Sequence, residues 1–383
     1  MDRPGCIAPA GRNLALGAFM TDRYTEVRTV ARTLGVDAVA LVPGPNFERL
    51  YGKRFMSNER PLVVFIPTEG PPAAIVPNLE LRSFDLVDFE GEVFDWRDQD
   101  GYQHAFDALG AHMPLTSLAV EGQVMRVFIH HACSAAWPGV RIIDGEREIS
   151  GLRLIKTPAE IAAIERAVQI AEAALGETLG ALRVGMTETE IESLLTQALF
   201  RAGAEAHAFD PLVASGDHSA RPHAHARADA WIAAGDALLI DFGARAGGLV
   251  SDITRTVFVG HASEEARAVY ETVLAANAAG HAATRPGVTA HDVDDAVISV
   301  LEASPFADRI RTKTGHGMGR EVHEAPYIMR GNPQRLEAGM VFTIEPGLYR
   351  IGGFGVRIED DVLVTDTGCR SLTTFPKELR VVG

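Results

Sequence analysis

The second half of the chain carries a pair of aspartates across a predicted hairpin. Asp241 ends the apolar run at 237–240, and Asp252 lies in the next strand, after a glycine-containing turn. If the turn is centred between residues 246 and 247, the two aspartates are directly opposed, and such side chains lie about 4.5–5.5 Å apart. Two like charges at this separation are destabilising unless a cation lies between them.

A pair of glutamates repeats the arrangement further along the chain. Glu345 and Glu359 are equidistant from Gly352, which with Gly353 supplies the turn of a second predicted hairpin. A single carboxylate in a strand usually points to solvent, and a bulge would shift the register. Two facing pairs beside apolar strands are costly without counter-ions, so together they favour a metal site over solvated acids.

A histidine among glycines is the third element of this chemistry. His316 lies in the segment Gly-His-Gly-Met-Gly at 315–319, where glycines let the backbone approach an ion or a substrate, although such a histidine could also be structural. Four carboxylates and one imidazole without thiolate suit two hard divalent ions, Mn²⁺, Co²⁺, Zn²⁺ or Fe²⁺. Two ions about 3.5–4 Å apart bridge a water and lower its pKa, which is chemistry for hydrolysing an amide bond.

The elements that precede this half of the chain predict an α/β domain over residues 1–150. Helical spacing over 21–34 ends at a glycine, and short β-branched runs at 38–42, 62–66 and 73–76 are bounded by proline and glycine. A polar stretch at 142–151 contains two glycines, and we place the domain boundary there.

Residues 151–383 predict helices packed on an antiparallel sheet, an α+β domain. Thr157 and Glu160 form a capping box with Pro158 at the first helical position, and a second box begins at Thr187. Two more helices are predicted after Ser263 and Thr289, and strands at 237–240, 253–259, 340–344 and 355–364.

Composition and charge exclude several classes of function. The 383 residues include 36 Lys+Arg and 51 Asp+Glu, and the net charge of -15 argues against nucleic acid or an anionic membrane as partner. The sequence shows no signal-peptide pattern and no run of eighteen apolar residues. The three scattered cysteines, Cys6, Cys133 and Cys369, form no disulfide framework. We therefore expect a cytoplasmic enzyme.

The context of these residues resembles the pita-bread metallopeptidases, most closely those of the proline dipeptidase (prolidase) and aminopeptidase P type. The similarity rests on Asp241 and on the segments SDITRT at 251–256, GHG at 315–317, TIEPG at 343–347 and VRIEDD at 356–361. The segment LRLIKTPAEI at 152–161 resembles the linker helix of that family, and residues 1–150 resemble its creatinase-like N-terminal domain.

The resemblance implies a role for each matching residue. The metal ligands would be Asp241, Asp252, His316, Glu345 and Glu359. His223, in the sequence Arg-Pro-His-Ala, would contact the substrate, with His225 as a rival, and His323 would be the second active-site histidine. Glu345 would also accept a proton from the water and pass it to the leaving nitrogen, and Arg357 matches an arginine near the substrate.

Two positions depart from the family pattern. Leu249 stands where a tyrosine is usual, three residues before Asp252, so we expect a modified proton relay that lacks this phenol. Thr312 stands where a histidine is frequent, four residues before His316, so the contacts to the end of the substrate are expected to involve other residues. Neither change removes a metal ligand.

The resemblance implies an Xaa-Pro dipeptidase with two divalent ions, in the first place Mn²⁺ with Co²⁺ or Zn²⁺ as alternatives, and a homodimer. Aminopeptidase P, which takes longer peptides, shares all five ligands, and only the compact length favours the dipeptidase. A non-peptide amide hydrolase of the same fold is the third hypothesis. A pita-bread binding protein without catalysis is the alternative from another class, and the intact ligand set argues against it.

Overall fold

The computed structural model describes residues 23–56 and 58–383. Cys6 and the predicted helix start at Thr21 lie outside these residues. The first half folds around a six-stranded sheet, and the second half around smaller sheets that are covered by four helices. The predicted fold class, α/β followed by α+β, is confirmed. Within the described ranges, no helix is both long and apolar enough to cross a membrane.

The four inner strands of the N-terminal sheet are buried because their apolar side chains are packed between helices, whereas the two edge strands are partly exposed. The helices are α1 (Thr25–Leu34), α2 (Pro45–Tyr51), α3 (Leu81–Phe84), α4 (Gln103–His112), α5 (Val127–Ala136) and α6 (Glu146–Ser150). The strands are β1 (Ala38–Leu41), β2 (Val63–Pro67), β3 (Ala73–Pro77), β4 (Glu92–Trp96), β5 (Ser117–Val120) and β6 (Arg141–Asp144). Their order is β4-β3-β2-β1-β5-β6, and β1 pairs antiparallel with β2 and parallel with β5.

Four helices cover the sheets of the C-terminal half. They are α7 (Pro158–Ala181), α8 (Glu188–Ala202), α9 (Glu264–Ala283) and α10 (Ala290–Glu302). The capping boxes at Thr157 and Thr187 are both formed, and Ser263 and Thr289 cap α9 and α10 with their side chains. All four predicted helix starts are therefore confirmed.

The strands of this half pair antiparallel, except for one parallel pair at the chain end. They are β7 (Ala206–His207), β8 (Leu212–Ser215), β9 (Ala237–Phe242), β10 (Ala244–Ala246), β11 (Leu249–Val250), β12 (Ile253–Val259), β13 (Gly315–Gly317), β14 (Glu324–Ile328), β15 (Val341–Ile344), β16 (Gly347–Tyr349), β17 (Gly355–Arg357), β18 (Asp360–Val364), β19 (Cys369–Ser371) and β20 (Val381–Val382). The two larger sheets have the orders β20-β12-β9-β8 and β14-β13-β15-β18-β19, and the parallel pair is β12 with β20.

The predicted register of the aspartate hairpin is wrong by two residues. Asp241 pairs with Thr254 rather than with Asp252. The turn is centred between Gly247 and Gly248, whose φ values of 58° and 76° are both positive. A two-residue hairpin loop of this kind needs positive φ at both central positions, which glycine adopts without strain. The glutamate hairpin follows the predicted register, because β16 and β17 pair symmetrically about Gly352.

The segment between the two halves is tied to both by buried charges. Arg153 donates from Nε to Asn46 Oδ1 of α2 at 3.0 Å and forms an ion pair with Glu324 at the start of β14. Lys156 Nζ lies 2.6 Å from the other oxygen of Glu324. All three charged side chains are at most 5 % exposed. The segment predicted as the domain boundary folds as α6 and a short 3₁₀ turn, and the limit at 150/151 stays a prediction.

Glu121, next to this network, makes the stability of the protein depend on pH. It is fully buried, accepts from Asn46 Nδ2 at 2.8 Å through one oxygen, and has no partner for the other among the described residues. Burial raises its pKa from 4.5 to about 7 against the hydrogen bond from Asn46. A carboxyl group whose pKa is higher in the folded than in the unfolded protein stabilises the fold at pH values below its unfolded-state pKa. This contribution is lost as the pH rises through its folded-state pKa.

We therefore expect Glu121→Gln to flatten the pH dependence of stability. Between about pH 4.5 and pH 7 the free energy of unfolding of the wild type should fall by up to about 3 kcal/mol, and that of the variant should not. Urea unfolding at both ends of this range measures the difference. The exposed Glu69→Gln variant is the matched control and should follow the wild type. Equal pH slopes in wild type and Glu121→Gln would contradict the expectation.

Candidate metal centre

Four carboxylates and one imidazole converge from five separate segments of the C-terminal half. They are Asp241 in β9, Asp252 before β12, His316 in β13, Glu345 between β15 and β16, and Glu359 between β17 and β18. Ligand atoms of Asp252, His316 and Glu359 all lie within 4.8 Å of one another. His316 Nε2 lies 3.2 Å from Glu345 Oε1 and 3.7 Å from Asp252 Oδ2. The structure thus brings together the predicted ligands.

Backbone contacts orient the imidazole of His316 toward these acids. Its Nδ1 lies 3.2 Å from the carbonyl oxygen of Gly317, which suits donation from Nδ1 and leaves Nε2 free for a ligand. Its backbone N–H donates to Thr343 Oγ1 at 3.1 Å, and the same hydroxyl donates to Glu345 Oε1 at 3.2 Å. One threonine in β15 therefore aligns the histidine and the glutamate.

Hydrogen bonds from the β12 strand and from Asp361 hold Glu359 and Asp252 in place. Thr254 Oγ1 donates to Glu359 Oε2 at 2.5 Å, and the backbone N–H of Glu359 donates to the Thr254 carbonyl at 3.1 Å. The backbone N–H of Asp252 donates to Asp361 Oδ2 at 3.1 Å. These bonds join the two hairpins at the level of the carboxylates.

Burial and mutual repulsion disfavour the ionised form of three of the four carboxylates. Burial raises the pKa of Asp252 well above its usual range, and the charges of Glu359 and Asp241 raise it further. Burial also raises the pKa of Glu359, with the charges of Glu345 and Asp241 adding to it. The pKa of Asp241 is raised by burial against the opposing charge of Arg357.

Glu345 differs from the other acids because it lies beside positive charge. Burial opposes its ionisation, but the hydrogen bond and charge of His316 and the charge of Arg357 outweigh burial and lower its pKa. Glu345 is thus held as a carboxylate, the form that can accept a proton.

The donor atoms fit hard divalent cations. Asp241 Oδ1 and Asp252 Oδ1 are buried and have no hydrogen-bond partner among the described residues. Buried polar atoms are almost always satisfied, so each points to a missing partner. The set contains carboxylates and an imidazole and no thiolate, which suits Mn²⁺, Co²⁺ or Zn²⁺.

Metal removal is expected to destabilise the protein more at alkaline than at acid pH. Asp252 and Glu359 have folded-state pKa values above those of an unfolded chain, so the metal-free fold loses stability as pH rises from about 4. A bound cation removes this repulsion. The gap in melting temperature between metal-loaded and chelator-treated protein should widen between about pH 5 and about pH 8. Calorimetry measures it, and a constant gap would contradict this account.

The charge of His223 contributes to the pKa of His323, so the two predicted catalytic histidines lie near each other. The ring of His323 packs on that of His316 with centroids 4.1 Å apart. Partial burial lowers the pKa of His323 to about 4, and the charges of His316 and His223 contribute, so its imidazole is neutral at neutral pH. His223 is exposed, and its charge lowers the pKa of His323. The charge of His225 instead lowers the pKa of Glu192 in α8. This placement favours His223 over its rival.

Arg357 is buried beside Asp241. It is 3 % exposed, and its guanidinium forms an ion pair with Asp241. It also donates to Thr254 Oγ1 at 2.9 Å and to the phenol oxygen of Tyr349 at 2.8 Å. All three of its nitrogens have protein partners, so Arg357 holds Asp241 in place, and its contact with the substrate stays a prediction.

Leu249, which replaces the tyrosine of the family pattern, packs in the apolar core, and the modified proton relay stays a prediction. Leu249 is 3 % exposed and packs in an apolar cluster with Ile164, Val168 and Met318, so its side chain faces the core under α7. A phenol near the carboxylates comes instead from Tyr349, four residues after Glu345. The alternation of side chains along a strand could have indicated Tyr349, since residues 345, 347 and 349 share a face.

Lys313 is a second residue that the sequence analysis missed. Its charge lowers the pKa of both Glu345 and His323, which places a cation beside the site three residues before His316. Thr312, which replaces a histidine of the family pattern, is partly exposed. No spacing rule singles out Lys313, because its segment lies outside the strands.

Comparison with known proteins agrees with this geometry. Residues 162–366 match the model of metallopeptidase family M24, and residues 23–155 match the creatinase/prolidase N-terminal domain. The chain therefore belongs to metallopeptidase family M24.

Three proteins illustrate the similarity over nearly the whole length. The "Probable dipeptidase PepE" of Mycobacterium tuberculosis is 33% identical over 91% of this chain and 92% of its own length. The crystal structure of a prolidase from Thermococcus sibiricus superposes with a TM-score of 0.88 at 32% identity, covering 94% and 100% of the two chains. An X-Pro aminopeptidase from Thermotoga maritima gives a TM-score of 0.78 at 31% identity, covering 92% and 100%.

Proposed function

We propose that this metallopeptidase is an Xaa-Pro dipeptidase that hydrolyses the amide bond before a C-terminal proline. The observation that carries the proposal is the convergence of Asp241, Asp252, His316, Glu345 and Glu359, with two buried oxygens that lack partners among the residues the structure describes. The fold-level similarity to a prolidase, at a TM-score of 0.88, supports the substrate class.

Each side chain of the site has a separate role in the hydrolysis. Two divalent ions held by the five ligands, Mn²⁺ in this proposal, would supply a hydroxide nucleophile at neutral pH. Glu345, held as a carboxylate, accepts the proton of the attacking water. Neutral His323 and exposed His223 donate hydrogen bonds to the oxyanion that forms on the carbonyl. Arg357 keeps Asp241 in place through their ion pair.

The bond before proline explains why a proton carrier is needed. That bond is a tertiary amide, and its nitrogen leaves as a basic secondary amine that must be protonated. Glu345 returns to this nitrogen the proton that it accepted from the water. Lys313, on the same side of the site, offers a cation for the proline carboxylate of a dipeptide.

The cellular setting of the enzyme is part of the proposal. A homodimer is proposed, and light scattering at working concentration tests it. A cytoplasmic location is proposed from the scattered cysteines, since such a set suits a reducing compartment.

Aminopeptidase P activity is the second candidate, because a cavity of about 450 Å³ continues past His323 and leaves room for a longer peptide. The test is a paired assay of metal-stripped protein reloaded with Mn²⁺, on an Xaa-Pro dipeptide and an Xaa-Pro-Yaa tripeptide. Metal-dependent cleavage of the dipeptide supports the proposal, and preference for the tripeptide favours the second candidate. No cleavage of either, with metal bound, would overturn both and favour a non-peptide amide substrate.

A further inference from the structure

Glu188, the first residue of α8, is a buried carboxylate outside the metal centre. It is 0 % exposed. Its Oε1 accepts from the backbone N–H and the hydroxyl of Ser215 at 2.8 Å and 2.9 Å, and its Oε2 accepts from the backbone N–H of Arg227 at 3.0 Å. One carboxylate therefore holds the chain at both ends of the stretch 216–226.

The stretch 216–226, which we call the histidine loop, contains His218, His223 and His225. Its first half is held to β17, whose first residue donates its backbone N–H to the hydroxyl of Ser219 at 2.9 Å. Within the described part of the chain, residues 221–226 form only two hydrogen bonds, both backbone bonds to the loop itself, at 3.0 Å and 3.2 Å. His223 lies in this second half, so its position depends on how the far end of the loop is held at Arg227.

Donors from both ends of the histidine loop keep Glu188 ionised. His218 Nδ1 lies 3.0 Å from Oε2 and 3.2 Å from Oε1, and because a carboxylate only accepts, this nitrogen carries the proton. The guanidinium of Arg227 donates from Nε to Oε2 at 3.2 Å and from Nη2 to Oε1 at 3.3 Å. Burial opposes the ionisation of Glu188, but the hydrogen bonds from Arg227 and Ser215 outweigh burial and lower its pKa. Loss of this charge would leave buried donors without an acceptor, which is costly.

The histidine loop reaches the active site through His223. The charge of His223 contributes to the lowered pKa of His323, whose ring packs on that of His316 with centroids 4.1 Å apart. A hydrogen-bond donor to an oxyanion lowers the barrier only if it is already in place, and a displacement of about 1 Å can cost about 10²-fold in rate. The anchors of the loop therefore bear on catalysis.

We propose that Glu188 is a positioning residue of the active site, which keeps His223 in place for the oxyanion by holding both ends of the histidine loop. The inference rests on the proposed hydrolysis and adds to it a residue outside the ligand set. It differs from the general effect of an acid at a helix N-terminus, which would not depend on His223.

The kinetic test is a double-mutant cycle on an Xaa-Pro dipeptide with Mn²⁺-loaded protein. Glu188→Gln should lower kcat about tenfold without loss of metal, because the loop no longer holds His223 in one place. In a His223→Ala background the same substitution should leave kcat unchanged, because the side chain that Glu188 positions is absent. Arg227→Met, at a side chain that is 42 % exposed, should behave in the same way and decides the cycle if Glu188→Gln does not fold.

Glu190→Gln is the matched control, because it removes an acid from the same turn of α8. Glu190 accepts from the backbone N–H of Thr187 at 2.7 Å in the capping box, a role that glutamine also fills, so this variant should keep wild-type kcat. An equal loss of kcat with and without His223 would mean a general structural role and would overturn the inference. Wild-type kcat in both Glu188→Gln and Arg227→Met would also overturn it.

Hydrogen exchange measures the hold on the loop without any substrate. The backbone N–H groups of Ser215 and Arg227 donate to Glu188, so exchange over residues 215–227 should be about tenfold faster in Glu188→Gln and unchanged in Glu190→Gln. Equal exchange in wild type and Glu188→Gln would overturn the inference. If metal-loaded wild type cleaves no Xaa-Pro dipeptide, the proposed function fails, and exchange alone then supports or overturns the hold of Glu188 on the loop.

Discussion

Asparagine in place of Asp252 is expected to lower kcat/KM on an Xaa-Pro dipeptide by about a thousandfold and to reduce the bound metal. Asp252 lies among Asp241, Glu359 and His316, and one of its oxygens is buried with no partner within residues 23–56 and 58–383. The neutral amide keeps the size of the side chain but removes the charge that compensates a divalent ion. Metal chemistry contributes several kcal/mol to such reactions, and each 1.36 kcal/mol is about tenfold in rate.

Metal analysis and kinetics of the same preparations measure both effects. Asp308→Asn is the control, because Asp308 is exposed and does not belong to the ligand set, and it should keep activity and metal. The Asp252→Asn protein should be at least as stable as metal-free wild type, since it has one fewer buried acid to ionise. Full metal content together with full turnover in Asp252→Asn would remove Asp252 from the metal centre.

Alanine in place of His323 is expected to lower kcat by about 10²–10⁴-fold without loss of metal. His323 is not part of the Asp252, His316 and Glu359 group, but its ring packs on His316 at 4.1 Å. Its imidazole is neutral at neutral pH because its pKa is lowered to about 4. A neutral ring can donate a hydrogen bond to the oxyanion and pass a proton, and alanine can do neither.

His225→Ala is the control for a general effect of losing a histidine. His225 is exposed, and its charge affects the pKa of Glu192 rather than that of His323. It should keep wild-type kcat. The measurements are steady-state kinetics and metal content of both variants. Full turnover by pure His323→Ala protein, or loss of its metal, would contradict the assigned role.

The convergence of the five proposed ligands could be predicted from the sequence because it depends on residue type and order more than on exact register. The glutamate hairpin follows the predicted register, since its loop is symmetric about Gly352. The aspartate hairpin does not, because the backbone conformation of Gly247 and Gly248 moves the turn by one residue. The shift changes pairing by two residues, and side chains alternate with a period of two, so Asp252 stays on the same face.

The features that the sequence did not indicate depend on contacts between distant segments. The direction of Leu249 is decided by packing under α7, and the partners of Arg357 come from β9, β12 and β16. No local pattern around Glu324 shows that it is buried against residues of the linker. Local propensity predicts helix caps and strands, whereas these pairings are properties of the assembled fold.

The ion pairs of Glu324 with Arg153 and Lys156 have a consequence for how the chain is made. Lys156 precedes Glu324 by 168 residues, and the N-terminal strands are complete at Asp144. At a translation rate of about 5–20 residues per second, Glu324 is synthesised about 10–30 s after Lys156. Until Glu324 is made, Arg153 and Lys156 lack the carboxylate that compensates their charges in the folded protein. We therefore expect the two halves to dock only after Glu324 is synthesised, and activity to appear only after this docking.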